Sequence, residues 1–249
     1  MKLATWNVNG IRAREAQLLA WLDEERPDVV ALQEIKAAPD KIPESLCPHP
    51  GYWCRWHGAG GYSGVSLLAR RDRFPAEPEL FHPPFDFEER IAVARLAGLT
   101  IASVYVPNGG KDFAAKLEFV RALTAYAAEL VAAGNELLLA GDFNITREER
   151  DVHPKERKPR AVGQLPEERA LLAGLLDRGL VDLGRHFAPD DENLFTWWAP
   201  WRNLRQRNIG WRIDYVLASA ALLPGATRCV VQREVGTSDH APVVAEIAE

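Results

Sequence analysis

The chain has 249 residues, 47% hydrophobic and 26% charged, an ordinary globular composition that excludes disordered and collagen-like classes. Its net charge of −5 argues against a protein that coats nucleic acid through bulk electrostatics, while leaving room for a local basic face. Cys47, Cys54 and Cys229 form no C-x-x-C pair and are odd in number, which argues against structural zinc and a disulfide framework.

No apolar run approaches the ~20 residues of a membrane-spanning helix. The strand-like alternation of residues 3–6 begins at once, so the expectation is a cytoplasmic soluble chain with no targeting segment and no membrane partner. Residues 12–26 then carry Leu18, Leu19 and Leu22 on one helical face, closed by Pro27. Residues 28–32 form a short apolar run of the buried parallel-strand type, which leaves Glu34 at a strand's C-terminal end.

Residues 52–57, 65–70, 91–96 and 99–106 read as strands divided by Gly and Pro, with Ala97-Gly98 as a hairpin turn. Asp112 is placed to N-cap a helix whose face shows Phe113, Leu117, Val120, Leu123 and Leu130, ending near Gly134-Asn135. A strand over 136–140 stops at Gly141-Asp142. Pro166 and the acids after it start a helix running to Gly179. Strands over 211–217, 227–235 and 243–247 complete the inventory.

The order strand, helix, strand, then several strands occurs twice. Two similar halves, each supplying a mixed sheet with helices on one side, predict an α/β fold: a four-layer α/β/β/α sandwich. No linker divides the chain, so 1–249 is read as one domain.

Asn7, Glu34, Asp142, Asn144, Asp214, Asp239 and His240 all fall where strands end, in loops a rigid sheet can hold. Each alone reads as a turn or surface polar residue; the signal is their joint placement. Several carboxylates converging at one sheet edge would repel one another unless a cation or proton intervened, and oxygen ligands without cysteine point to Mg²⁺ or Mn²⁺. Glu34 with Asn7 beside it would anchor such an ion, and a phosphate ester is the matching substrate. Asp239-His240 sits before the last strand and Asp214 on a neighbouring one; an Asp-His pair favours imidazolium, whose proton stabilises charge on a phosphoryl oxygen.

Seven strings, Trp6-Asn7-Val8-Asn9-Gly10-Ile11-Arg12, Leu32-Gln33-Glu34-Ile35-Lys36, Gly61-Tyr62-Ser63-Gly64-Val65, Tyr105-Val106-Pro107-Asn108-Gly109, Gly141-Asp142-Phe143-Asn144-Ile145, Trp211-Arg212-Ile213-Asp214-Tyr215 and Ser238-Asp239-His240-Ala241-Pro242, occur in this order. Together they resemble the exonuclease III family of abasic-site (AP) endonucleases nearly end to end. The resemblance implies a deoxyribonuclease I-like fold and a Mg²⁺-dependent enzyme of base excision repair. Such an enzyme cuts double-stranded DNA 5′ to an abasic site to leave a 3′-hydroxyl, with 3′→5′ exonuclease, 3′-phosphatase and 3′-phosphodiesterase side activities.

By position, the resemblance makes Glu34 the principal metal ligand with Asn7 its neighbour and Asp239 in a second metal arrangement. Asp142 orients or deprotonates the attacking water, Asn144 holds Asp142, Asp214 and His240 form the dyad, and Tyr105 stabilises the transition state. Tyr62 and Arg90 would hold phosphates, with Asn108 and Asn208 also at the DNA. Trp197, Trp211 and Ile213 would wall a pocket that admits a sugar lacking its base. Trp201 would wedge beside the lesion and Lys111 enter the opposite groove.

Arg202, Arg205, Arg207 and Arg212, with no acid between 201 and 212, form a basic, aromatic loop suited to DNA. Asn9 replaces an acid present in some relatives, Lys111 stands where others have Arg, and Trp201 is bulkier than the commoner wedge. The stretch 147–160 reads as a solvated loop or a DNA-facing flap. A monomer at the nucleoid is expected. The rival readings are a nonspecific nuclease or other phosphodiesterase on the same scaffold, and a noncatalytic DNA-binding module.

Overall fold

The computed structural model describes residues 1–248. In chain order the strands and helices of the N-terminal part are β1 (Lys2–Asn7), α1 (Ile11–Glu25), β2 (Val29–Gln33), β3 (Tyr52–His57), β4 (Val65–Arg70), β5 (Leu80–Phe81), β6 (Ile91–Leu96) and β7 (Leu99–Tyr105). They continue with α2 (Phe113–Ala132), β8 (Leu137–Asp142), α3 (Pro166–Leu176), β9 (Leu180–Asp182), α4 (Leu183–Phe187), β10 (Asp214–Ser219), β11 (Ala226–Val231) and β12 (Val243–Ile247). Two six-stranded mixed sheets result, ordered β11-β12-β1-β2-β4-β3 and β5-β6-β7-β8-β10-β9.

The expected duplication is present. β1 and β2 form a parallel pair joined through α1, and β7 and β8 form another joined through α2. Each pair is continued by antiparallel strands, β4 and β3 in one sheet, β10 and β9 in the other. The division into halves is corrected: β12 pairs antiparallel with β1, so the C-terminal strands complete the first sheet. The strand expected over 211–217 is shifted toward the C-terminus. It starts at Asp214, because Trp211 makes only single bridges, to Val152 and to Trp197.

Period-two alternation makes the layers. Leu3, Val29 and Ala31 of the first sheet face Ile101, Leu138, Ala140, Val216 and Ala218 of the second in one buried cluster. The opposite parity, Ala4, Trp6, Val30 and Leu32, packs on Leu18, Trp21 and Leu22 of α1. Val104, Leu137 and Leu139 likewise pack on Phe119, Val120 and Leu123 of α2 and Leu172 and Leu175 of α3. Asp112 caps α2 as expected, accepting from the Ala115 amide at 2.9 Å.

Candidate active site

Parity carries the polar residues to one place. Asn7 shares the inward parity of Leu3, Tyr105 that of Ile101, Asp142 that of Leu138 and Ala140, and Asp214 that of Val216 and Ala218. These residues are therefore the last members of the inter-sheet face at one end of the sandwich. Register aligns them: Asp142 is opposite Tyr105 on one side and Asp214 on the other. Gly141 permits the approach, since a Cβ there would lie 1.8 Å from the Val104 carbonyl oxygen. Glu34, one residue past β2, turns toward the same mouth through a φ of 51°.

Asn7 Nδ2 donates to Glu34 Oε1 and to Asp142 Oδ2, both at 2.9 Å. The Tyr105 hydroxyl donates to Glu34 Oε1 at 2.9 Å, and Lys36 Nζ pairs with Glu34 Oε2 at 2.7 Å. Asp142 also accepts from Asn144, from its backbone N at 2.9 Å and from Nδ2 at 3.3 Å. His240 Nδ1 meets Asp214 Oδ2 at 2.9 Å, while Nε2 lies 3.8 Å from Asp142 Oδ2. Glu34, Asp142 and His240 offer ligand atoms within 4.8 Å of one another, a grouping that can hold a metal ion.

Burial sets the protonation states. Burial would raise Glu34, but the hydrogen bonds from Asn7 and Lys36 outweigh it and hold the carboxyl below its ordinary value, so it stays ionised. Asp142 is pushed up to about 7 by its own burial, with the Asp214 and Glu34 carboxylates adding and the His240 charge opposing. Burial would lower His240, yet the Asp214 and Asp142 carboxylates lift it to about 10. Tyr105 is raised by burial and by Glu34, so it remains a phenol donor at neutral pH.

The His240 value has a consequence for the metal-free protein. A histidine raised from 6.5 to about 10 on folding adds stability that is full below the lower value and lost as pH climbs through the higher one. Urea midpoints in EDTA should therefore fall as pH rises between roughly 7 and 10, above the titration of Asp142. Asp214→Asn should flatten that slope; an unchanged slope would remove Asp214 as its cause.

Other expected site residues are placed differently. Asn7, expected as a metal neighbour, lies between the two carboxylates: its Oδ1 accepts from the Asn9 amide at 3.0 Å and its Nδ2 donates to Glu34 and Asp142. Asp239 stands outside the Glu34-Asp142-His240 trio. Its Oδ1 accepts from Asn9 Nδ2 at 2.8 Å and its Oδ2 from Trp197 Nε1 at 3.0 Å.

Arg90, expected to hold a phosphate, is 1% exposed. It pairs with Glu88 at 2.7 Å, donates to the Tyr62 hydroxyl at 3.0 Å and lies over the Tyr105 ring, and its buried Nη1 finds no protein acceptor. Tyr62 and Trp201 are 50% and 59% exposed, and Asn108 and Lys111 are exposed too. The Asn208 side chain is engaged on both sides, accepting from Trp198 Nε1 and donating to the Asn193 carbonyl. Trp197 and Trp211 meet edge to face at 5.3 Å beside His240, with Ile213 buried.

Two arginines of the basic loop are structural. Arg205 donates to the carbonyls of Arg233, Val235 and Ser238, and Arg212 is buried against Asp151 and Asp182. The stretch 147–160 is docked rather than free: Asp151 joins that pair and Val152 bridges Trp211, while Lys155, Arg157, Lys158 and Arg160 remain exposed. Sequence reasoning missed Lys36, Thr196 and Lys116. Thr196 Oγ1 accepts from the Ile213 and Asp214 amides, both at 3.1 Å. Lys116, fully buried with Glu168, donates to the Asn144 carbonyl at 2.8 Å. Its position between Phe113 and Val120 on the core face of α2 was the available signal.

The model of the Endonuclease/Exonuclease/phosphatase family matches residues 4–240. The chain is 33% identical to exodeoxyribonuclease III of Haemophilus influenzae, covering 99% of both chains, and 32% identical to DNA repair nuclease APEX1 of Danio rerio, covering 100% of this chain and 82% of that one. It is also 32% identical to recombination repair protein 1 of Drosophila melanogaster, of whose length it spans 36%. Among solved structures it superposes on a 3′ phosphatase from Neisseria bound to a product DNA hairpin, with a TM-score of 0.91, 32% identity and full coverage of both chains. An AP endonuclease from Archaeoglobus fulgidus gives a TM-score of 0.89 at 29% identity, with 99% of each chain covered. With its fold, its clustered carboxylates and these relatives in agreement, the chain belongs to the Endonuclease/Exonuclease/phosphatase family.

Proposed function

We propose that the chain, as one catalytic domain, is a divalent-metal-dependent AP endonuclease of base excision repair. It hydrolyses the phosphodiester 5′ to an abasic site to leave a 3′-hydroxyl, with 3′→5′ exonuclease, 3′-phosphatase and 3′-phosphodiesterase reactions at the same centre. The observation that carries this reading is the convergence of Glu34, Asp142 and His240 at one end of the inter-sheet face. The relatives named as DNA repair and AP nucleases support it.

The donor set suits a hard cation: ionised carboxylate oxygens and no sulfur. Glu34 would hold Mg²⁺, for which Mn²⁺ substitutes, with Asp142 facing it. Such an ion supplies Lewis-acid stabilisation of phosphoryl charge. Asp142, raised toward neutrality, orients the water and takes its proton, held by Asn7 and Asn144. His240, kept charged by Asp214, presents Nε2 to a phosphoryl oxygen, and the Tyr105 phenol adds a neutral donor beside Glu34. As the water oxygen bonds to phosphorus the P–O3′ bond breaks, the 3′ oxygen takes a proton from solvent to leave as the 3′-hydroxyl, and the phosphate stays on the abasic sugar.

Trp197 and Trp211 would wall the space that takes the base-less sugar, with exposed Trp201, Tyr62 and Lys111 meeting the duplex around it. Trp211→Ala should lower discrimination between abasic and intact duplex by about 10-fold, the effect of ~1.4 kcal/mol of lost apolar contact. Unchanged discrimination would take Trp211 out of the pocket.

The test is a 5′-labelled duplex carrying one tetrahydrofuran site, assayed with Mg²⁺ and with excess EDTA. Incision 5′ to the lesion only with metal supports the proposal; no metal-dependent incision sinks it. The likeness to a Neisseria 3′ phosphatase supports a second balance, with 3′-end processing as the faster reaction. The same protein assayed on a 3′-phosphate end would separate the two.

A further inference from the structure

His57, His82 and Asp86 form a second group whose ligand atoms lie within 4.8 Å of one another, and it shares no residue with the Glu34 cluster. The three come from different places: His57 closes β3, His82 follows β5, and Asp86 lies in the turn that leads into β6. Nothing in their spacing marks a motif, so only folding brings them together.

Asp86 and His82 are oriented from behind. Asp86 Oδ1 accepts from the Arg90 and Ile91 amides at 2.9 and 3.1 Å, which fixes the carboxylate and turns Oδ2 to His57 Nε2 at 2.6 Å. His82 Nδ1 is 3.2 Å from the Ile91 carbonyl oxygen. A carbonyl can only accept, so Nδ1 carries the hydrogen and Nε2 is left as the basic nitrogen. The two imidazoles stack with centroids 3.8 Å apart and planes 27° apart, an arrangement in which two imidazolium charges would face each other.

We propose that His57, His82 and Asp86 are a second divalent-metal site, two imidazoles and one carboxylate, which takes a first-row transition ion such as Zn²⁺ and ties the β5–β6 connection to the end of β3. Two nitrogen ligands select against Mg²⁺, which prefers oxygen in near-octahedral geometry, and suit Zn²⁺ with solvent in the open position beside exposed His82. The bonds from His82 Nδ1 to a carbonyl and from two amides to Asp86 are the outer contacts that fix the orientation of metal-binding side chains. Entry of the ion replaces the hydrogen bond between His57 Nε2 and Asp86 Oδ2 with two bonds to the metal. The ion would also stand one hydrogen bond from the backbone of Arg90, whose guanidinium lies over Tyr105.

Isothermal titration with Zn²⁺, in protein saturated with Mg²⁺, tests this in the wild type, Glu34→Gln and His82→Ala. The wild type and Glu34→Gln should each bind one Zn²⁺ with equal affinity. His82→Ala, which removes the exposed ligand, should bind at least ~100-fold more weakly. Co²⁺ in place of Zn²⁺ should give visible d–d bands that the same substitution removes. No Zn²⁺ uptake by the wild type, or an unchanged isotherm in His82→Ala, would overturn the proposal. So would uptake lost in Glu34→Gln and kept in His82→Ala.

Discussion

Asp142→Asn is expected to lower incision of an abasic duplex by at least ~100-fold, the lower range for removing a general base, while duplex affinity holds. An amide has nearly the same shape but accepts no proton from water. It also brings a donor to the side where Asn7 and Asn144 already donate, so a stability cost of about 1–3 kcal/mol accompanies the change. Circular dichroism and urea midpoints separate this cost from the rate effect. His240→Asn should lose a similar factor in rate, because the cation beside Asp142 is gone and Asp214 is left buried without its partner. If the two act as one unit, the double variant will be little worse than either single one. Incision at the wild-type rate in Asp142→Asn would remove that residue from the chemistry.

The largest effect on stability is expected at Asp151, which touches no substrate in the proposed reaction. Its carboxylate accepts from Arg185 Nη2 at 2.6 Å and from Arg212 Nε and Nη2 at 2.8 and 3.1 Å, and all three side chains are buried. Asp151→Ala leaves the buried Arg212 guanidinium with Asp182 and the buried Arg185 guanidinium with only the Ala188 and Asp191 carbonyls, and such broken networks cost about 3–5 kcal/mol. That is a large fraction of the ~5–15 kcal/mol by which a domain is stable. The companion variant Asp151→Ala/Arg212→Met removes charge from both sides and should recover part of the loss. A change under ~1 kcal/mol in Asp151→Ala would contradict the account. The network matters to the site because the Arg212 amide donates to the Asp151 carbonyl and Val152 bridges Trp211, next to the start of β10 and Asp214.

Much of this was legible in the sequence because it depends on period-two alternation and strand-end chemistry. Strands over 52–57, 65–70, 91–96 and 243–247 match β3, β4, β6 and β12 at both ends, and Asp112 caps the helix assigned to it. The gathering of Asp142 and Asp214 follows from inward parity at strand ends, whereas Glu34 joins them through a positive φ just past β2 and His240 from the segment before β12. Strands β5 and β9 have two and three residues, too few to show any period. The return of β11 and β12 to the first sheet is a choice of partner, which local pattern does not encode.

Charge was the least readable property. Arg205, Arg212 and Arg90 look like surface cations in a list of residues, yet each is held inward by acceptors distant in sequence: the 233–238 carbonyls, Asp151 with Asp182, and Tyr62. Arg90 also bonds the nearby Glu88. Lys116 shows the reverse case, a cation whose helical position already placed it in the core.

The central claim is that Glu34 and Asp142 serve one divalent cation at the end of the inter-sheet face. A crystal soaked in Mn²⁺ and measured for anomalous scattering tests it most directly. An anomalous peak is expected in contact with the Glu34 carboxylate and facing Asp142. A map with no peak at Glu34, or with Mn²⁺ only at other sites, would contradict it.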